Sequence, residues 1–403
     1  MKRTRDETPQ IGEDQSIPGS PCSSVGAQTV KALKFDRNEL PEISKEDAFR
    51  TFRLRRIVRE NHGGSINSCS FFNVRRDRNA GDASNIMATV GAAQVNFYDN
   101  EHCGDHLDIM SHFVVGGSGY PKGETERPTE ELKTAAWMTS EDDLVLAVAG
   151  SAGNIHLLSL TQSKELSCWE AHPGGISHLE AHPSDPNLLL SVGSGYRVRL
   201  WHVGTKKPLC EYHVKAASAA FHPNGRSFLT TGIKGLVHDW EVPEEYIGMS
   251  DDEALEVEER IVGGHAGGDY TSLKETKPRC QAGPYTFHTQ RVDCIRYVED
   301  RVLSKSTDGK IVFWDPSTEE IVYSFHVKGS NNNNSCSFDV SLLNGHLITV
   351  LEHPRSTKTV RSCAFTKDDR NVVYVGDDAL IWRFDHIDEE IIQEWDGEDS
   401  EEV

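Results

Sequence analysis

A chain of 403 residues with 37% hydrophobic content is long for one ordinary core, which points to a repeat architecture or a closed β-fold. No apolar run approaches the roughly 18 residues of a membrane-spanning helix, so no membrane partner is expected. The formal charge of −21 argues against direct binding of nucleic acid through a basic face. It suits basic partners, histone tails among them, and equally suits plain solubility.

Residues 1–48 are rich in Pro, Ser, Gly and charge without strand or helix patterning, and are expected to form a disordered arm. The start, MKRTRDETPQ, lacks the apolar stretch of a secretory leader, and Lys2, Arg3 and Arg5 make only a minimal nuclear address. The next segment, FRLRRIVREN (52–61), has the character of an outer strand belonging to the last unit of a closed ring.

Internal repetition follows. The copies at 179–203, 219–242 and 363–385 each show a short strand, a polar turn, a buried strand, a tight turn and a strand bearing Trp. Trp201 and Trp240 are 39 residues apart, close to the period of a WD repeat. The segment 294–316 fits the same frame, and 86–100 and 135–160 are copies without the terminal Trp. Six blades are read in this way, with Trp201, Trp240, Trp314 and Trp382 expected at equivalent places. A seventh must come from the stretch between Trp314 and Trp382, where SCSFDVSLLNGHLITV (335–350) supplies two cramped strands. The predicted fold is all-β, a seven-bladed WD40 β-propeller over 49–387.

In the fifth copy, His288, Ser304, Asp308 and Trp314 stand where a WD repeat places its structural tetrad, the imidazole held by Asp, hydroxyl and indole. Elsewhere the tetrad reads as broken, with Gly195 and Lys234 at the Asp positions before Trp201 and Trp240. Residues 243–289 form an acidic, Gly-rich surface excursion between blades, with a helical stretch expected around 250–260 and room for a partner site. Residues 388–403 hold nine acids and no Lys or Arg, and are expected to be an acidic disordered tail.

The nine cysteines are scattered without a Cys-x-x-Cys pair, which suits a reduced compartment. His172, His182 and His222 precede prolines and read as turn residues rather than metal ligands. There is no nucleophile elbow, P-loop or zincin motif. A binding protein without catalytic activity, cofactor or metal is expected.

The motifs DPNLLLSV with RVRLW (185–201), LAVAGSAG (146–153), VDCIRY with VLSKS (292–306) and DDALIWRFD (377–385) are more specific than a generic repeat. In these the chain resembles the EED/Extra sex combs family, the WD-repeat subunit of Polycomb repressive complex 2, over about residues 52–385. The resemblance implies a nuclear, non-catalytic scaffold that clasps a helix of an Enhancer-of-zeste-type histone methyltransferase and supports transcriptional repression. It also implies the histone H3 tail as partner, its trimethyllysine read by an aromatic cage, since ring faces attract a quaternary ammonium. Here the chain departs from the family. Asn67 and Lys133 stand at two cage positions, Asn334 and Ser335 at a Trp-Tyr pair, and Arg361 matches the basic residue beside the cage. Methyl-lysine reading is therefore expected to be weakened or lost. The alternative is an adaptor of another complex, such as a substrate receptor for a ubiquitin ligase.

Overall fold

The computed structural model describes residues 50–59, 62–72, 85–100, 107–116, 130–138, 143–257, 260–262, 284–327, 351, 353–366 and 370–387. The expected arm 1–48, the tail 388–403 and the two strands at 335–350 lie outside the described residues.

The first strand, β1 (Phe52–Arg59), stands apart from its sequence neighbours. The first sheet is β2 (Ile66–Phe71), β3 (Ile86–Gly91), β4 (Gln94–Asp99) and β5 (Asp108–Val114), antiparallel in that order. The second repeats the plan with β6 (Leu132–Trp137), β7 (Val145–Gly150), β8 (Asn154–Ser159) and β9 (Lys164–Glu170). The third holds β10 (Ile176–Ala181), β11 (Leu188–Gly193), β12 (Arg197–His202) and β13 (Lys207–His213). The fourth keeps three strands, β14 (Ala216–Phe221), β15 (Ser227–Gly232) and β16 (Val237–Glu241). Beyond it α1 (Asp251–Glu256) and β17 (Arg260–Val262) precede the fifth sheet. That sheet is β18 (Val292–Val298), β19 (Arg301–Ser306), β20 (Lys310–Asp315) and β21 (Glu320–His326), and the last contains β22 (Val360–Phe365), β23 (Asn371–Gly376) and β24 (Leu380–His386). Six sheets thus stand where six repeats are read.

Burial is greatest in the second strand of each sheet, and the sequence shows why. The second strands, such as LLLSVG in β11 and SFLTTG in β15, are buried on both faces between neighbouring sheets. The outer strand β21, EIVYSFH, is exposed at all seven positions. Apolar cores join the first sheet to the second, the second to the third, the third to the fourth, the fourth to the fifth, and the last to the first. Among the described residues no such core joins the fifth sheet to the last, and residues 328–350 fall between these two in sequence.

The ends meet as predicted. β1 pairs antiparallel with β24, from Phe52 opposite His386 to Arg59 opposite Leu380, and completes the last sheet as its outer strand. A ring closed by its own first strand removes two free edges at once.

The excursion after β16 departs from the repeat plan. Instead of adding an outer strand to the fourth sheet, the chain turns back over the third. Ser250 caps α1 with a reciprocal Ser250–Glu253 capping box, and Asp251, Asp252 and Glu253 face the positive end of its short dipole. Ala254 is buried beneath it, and the Lys207 ammonium donates to the Leu255 and Val257 carbonyls at its far end. β17 then pairs in parallel with β13, giving the third sheet a fifth strand. The predicted helical stretch is present, but it is docked on the third sheet by these contacts. Tyr285, further on, bridges to Val237 and lends the fourth sheet part of its missing edge.

Candidate functional site

Each inner strand carries one register shift, and it falls at the same place in all six sheets. The bulged residues are Asn67, Lys133, Ser177, Ala217, Asp293 and Arg361. A bulge inserts one residue against none on the partner strand and re-aims its side chain. These six therefore line one end of the ring at equivalent heights. Asn67, Lys133 and Arg361, singled out by alignment, belong to this set; Asn334 and Ser335 lie outside the described residues.

The bulged residues do different work. Asn67 Nδ2 donates to the Leu132 carbonyl of the next sheet at 2.8 Å, and Ser177 Oγ donates to the Ala217 carbonyl at 3.2 Å. Both contacts stitch neighbouring inner strands together. Arg361 makes a two-pronged ion pair with Asp377, Nε to Oδ1 at 2.7 Å and Nη2 to Oδ2 at 3.0 Å. The guanidinium beside it holds the Asp377 carboxyl below the usual range. Asp293 is buried against Lys305, whose ammonium lies 2.8 Å from its carboxylate. Lys133 is exposed.

None of the six is aromatic. Tyr196, in the turn after β11, is exposed at the same end of the ring, because Gly193 pairs with Ile176 at the start of β10. Its ring face is already occupied by the Lys215 ammonium, 4.4 Å from the centroid. Ser177, Ala217 and Asp293 escaped the sequence reading because a bulge has no residue-type signature. The available signal was phase: each follows the first residue of an inner strand.

Beneath this end lie the hydrogen-bonded hubs of the sheets. In the fifth, Trp314 Nε1 donates to Ser304 Oγ at 3.1 Å, and Ser304 Oγ lies 2.7 Å from His288 Nε2. Asp308 does not hold the imidazole directly, as the tetrad reading had it. Ser306 stands between, 2.9 Å from His288 Nδ1 and donating to Asp308 Oδ1 at 2.5 Å. That hydroxyl spends its proton on the carboxylate, so Nδ1 must donate and Nε2 must accept.

In the third sheet the tetrad is broken at its Asp, as read from Gly195, while the rest of it stands. Ser191 Oγ accepts from Trp201 Nε1 at 2.8 Å and lies 2.7 Å from His172 Nε2. Gly193 is required here, because a Cβ at that position would lie 2.1 Å from His172 Nδ1. The fourth sheet keeps only the Trp240–Thr230 bond, at 2.9 Å.

Trp382 is a second correction. It pairs with Tyr374, whereas Trp201, Trp240 and Trp314 pair with the second residues of their partner strands, Leu189, Phe228 and Val302. Phe384, opposite Val372, holds the equivalent place. The Trp382 indole stacks on Tyr374 and donates to Asp378 in the turn at 2.9 Å.

Burial pushes the His172 and His288 imidazoles down from 6.5 to about 4, so both are neutral in the folded protein near neutral pH. The unfolded chain takes up these protons first. Stability is therefore expected to fall as pH drops from about 6.5 toward 4. Urea midpoints measured across this window should decline, and less steeply in His288→Gln. An unchanged slope would mean that the ring is not held neutral.

The second sheet has a different polar centre. His156 on β8 donates from Nε2 to the buried Glu130 at 2.8 Å and from Nδ1 to Glu165 at 2.9 Å, with Cys168 Sγ 3.9 Å from Nε2. Burial alone would lower its pKa, but the bonds to Cys168, Glu130 and Glu165 outweigh it and raise the value to about 11. This histidine is an imidazolium where the other two are neutral.

Strand count, closure by the first strand and indole-to-hydroxyl hubs define the chain as a WD-type β-propeller. No family model matches it. A maize Polycomb group protein, FIE2, is 24% identical over 347 residues, covering 75% of this chain and 84% of its own. The Polycomb protein esc of Drosophila melanogaster is 23% identical over 377 residues, covering 81% and 82%. A chain of the Chaetomium thermophilum Polycomb repressive complex 2 superposes with a TM-score of 0.63 at 13% identity, covering 84% of this chain and 98% of that one. Over most of its length this chain is thus similar to the esc and FIE Polycomb proteins.

Proposed function

We propose that this protein is the non-catalytic WD-repeat scaffold of a Polycomb-type histone H3 lysine methyltransferase complex, nuclear and repressive, with methyl-lysine reading weakened or lost. The observation that carries the role is similarity to esc and FIE proteins across three-quarters or more of the chain, not confined to one blade. An Enhancer-of-zeste-type methyltransferase is the proposed partner. A seventh blade is proposed from the two strands that the sequence offers at 335–350. The proposed boundaries remain 49–387 for the propeller, with arms at 1–48 and 388–403 that proteases remove without loss of the core.

The loss of reading rests on the ring of bulged residues. Asn67 is spent on a backbone carbonyl, Lys133 repels a methylammonium, and Arg361 is held by Asp377. Cation–π contacts contribute about 0.5–2 kcal/mol each. Losing two or three therefore weakens binding on the order of a hundredfold, since about 1.4 kcal/mol is tenfold.

Affinity purification is expected to recover a SET-domain methyltransferase; recovery of a ubiquitin-ligase core instead would sink the proposal. Titration of trimethylated and unmodified H3 peptides onto the purified protein is expected to give indistinguishable affinities. A clear preference for the trimethylated peptide, abolished by Arg361→Ala, would show a rebuilt cage.

A further inference from the structure

We propose that His156, Glu165 and Cys168 form a binding site for a zinc-type divalent ion on the outer half of the second sheet. One candidate ligand atom from each of these side chains lies within 4.8 Å of the other two. Among the described residues this is the single place where three such groups converge to that range.

Strand register builds the site. His156 on β8 stands directly opposite Cys168 on β9, so the two side chains share a face. Two residues further along β8, Leu158 is opposite Glu165 rather than Leu166, because the register shifts between Leu157 and Leu158. Without that bulge Glu165 would point to the other face. The extra residue, Leu166, is exposed instead. One irregularity in the outer strand therefore brings an oxygen, a nitrogen and a sulfur donor together.

Glu130 provides a second and independent indication. It is 3% exposed and reaches the imidazole from behind, with Oε2 accepting from Nε2 at 2.8 Å. Its other oxygen, Oε1, is buried without a hydrogen-bond partner. A buried carboxylate behind a ligating histidine fixes the tautomer and the ring orientation and makes the opposite nitrogen a better donor. Here the opposite nitrogen is Nδ1, the one facing Glu165, and the Cys168 thiol, 3.9 Å from Nε2, has to rotate toward it to complete the set. An ion taking the place of the Nδ1 proton would leave the Nε2–Glu130 bond intact. Glu130 is thus a positioning residue.

The donors select the ion. One imidazole, one thiolate and one carboxylate form a borderline set that suits zinc and does not suit magnesium or calcium, which take oxygen ligands. Glu165 is exposed and Cys168 partly so, which gives solvent a path to the site. Three protein ligands leave a fourth position open for water or for a group from a partner.

The test uses the full-length, metal-free protein. Cobalt(II) is titrated in first, because a thiolate ligand gives a near-ultraviolet charge-transfer band and tetrahedral geometry gives strong visible bands. Zinc is then titrated by calorimetry. A single cobalt equivalent with both features, displaced by zinc, is expected. Cys168→Ser should remove the charge-transfer band, and Glu165→Gln should weaken zinc binding about tenfold or more. Both positions are at the surface, so the fold should survive, and near-ultraviolet circular dichroism checks it. Glu130→Gln should weaken zinc about 10–100-fold while keeping the cobalt–thiolate band, the signature of positioning rather than ligation. Failure of the wild-type protein to bind either ion overturns the proposal. So does a charge-transfer band that survives in Cys168→Ser, which would place the ion on other thiols.

Discussion

Trp314→Ala is expected to destabilise the propeller by about 3–5 kcal/mol, the range for deleting a fully buried aromatic ring. Trp314 has no exposed surface and packs against both Tyr285 and Phe287, with ring centroids at 4.5 and 4.9 Å. The indole also serves Ser304, which in turn serves His288. Trp314→Phe bears on that second contribution, because it keeps an aromatic body in the site while losing the N–H. It should cost more than the roughly 1 kcal/mol of one hydrogen bond, since the smaller ring also leaves a void. Urea unfolding of the three proteins checks the order. An alanine variant within about 1 kcal/mol of the parent would show that the fifth sheet does not depend on its hub.

His156→Ala is the second large effect, and it has the opposite pH signature to the His288 variant. Removing the ring strands Glu130 in the interior without its donor, and breaking a buried pair costs about 3–5 kcal/mol. Because the folded-state pKa is raised from 6.5 to about 11, the folded protein binds this proton more tightly than the unfolded chain. The stabilisation is fully present below about 6.5 and is lost as pH rises toward 11. The gap between parent and variant should therefore narrow on the alkaline side. A gap that widens with pH would mean that the ring is neutral and that the carboxylates are held by something else.

The repeats were legible because burial on both faces forces continuous apolar runs, and LLLSV and LAVAG stand out at any register. Closure was legible in FRLRRIVREN (52–61), which has the character of an outer strand for the last blade. Counting from Trp misled at Trp382, because the register of that hairpin is set by Gly376 and the turn after it, and Trp382 comes two residues early. The chain's path from β16 back to β13 was not legible, since a three-residue parallel strand carries no periodicity. At the candidate site, alignment supplied Asn67, Lys133 and Arg361. The Arg361–Asp377 pair required the turn geometry that brings Asp377 back over β22.

Pairing β1 with β24 also imposes a wait during synthesis. The two strands are separated by about 320 residues, so at about 5–20 residues per second β1 leaves the ribosome roughly 15–65 s before its partner exists. Throughout that interval Phe52, Leu54, Ile57 and Val58 form an apolar strand with no sheet to join, the kind of segment that seeds aggregation. Interleaved with them are Arg53, Arg55, Arg56 and Arg59. In the finished ring Arg53, Arg55 and Arg59 face solvent. In the nascent chain their mutual repulsion keeps one copy of this strand from pairing with another until β24 arrives.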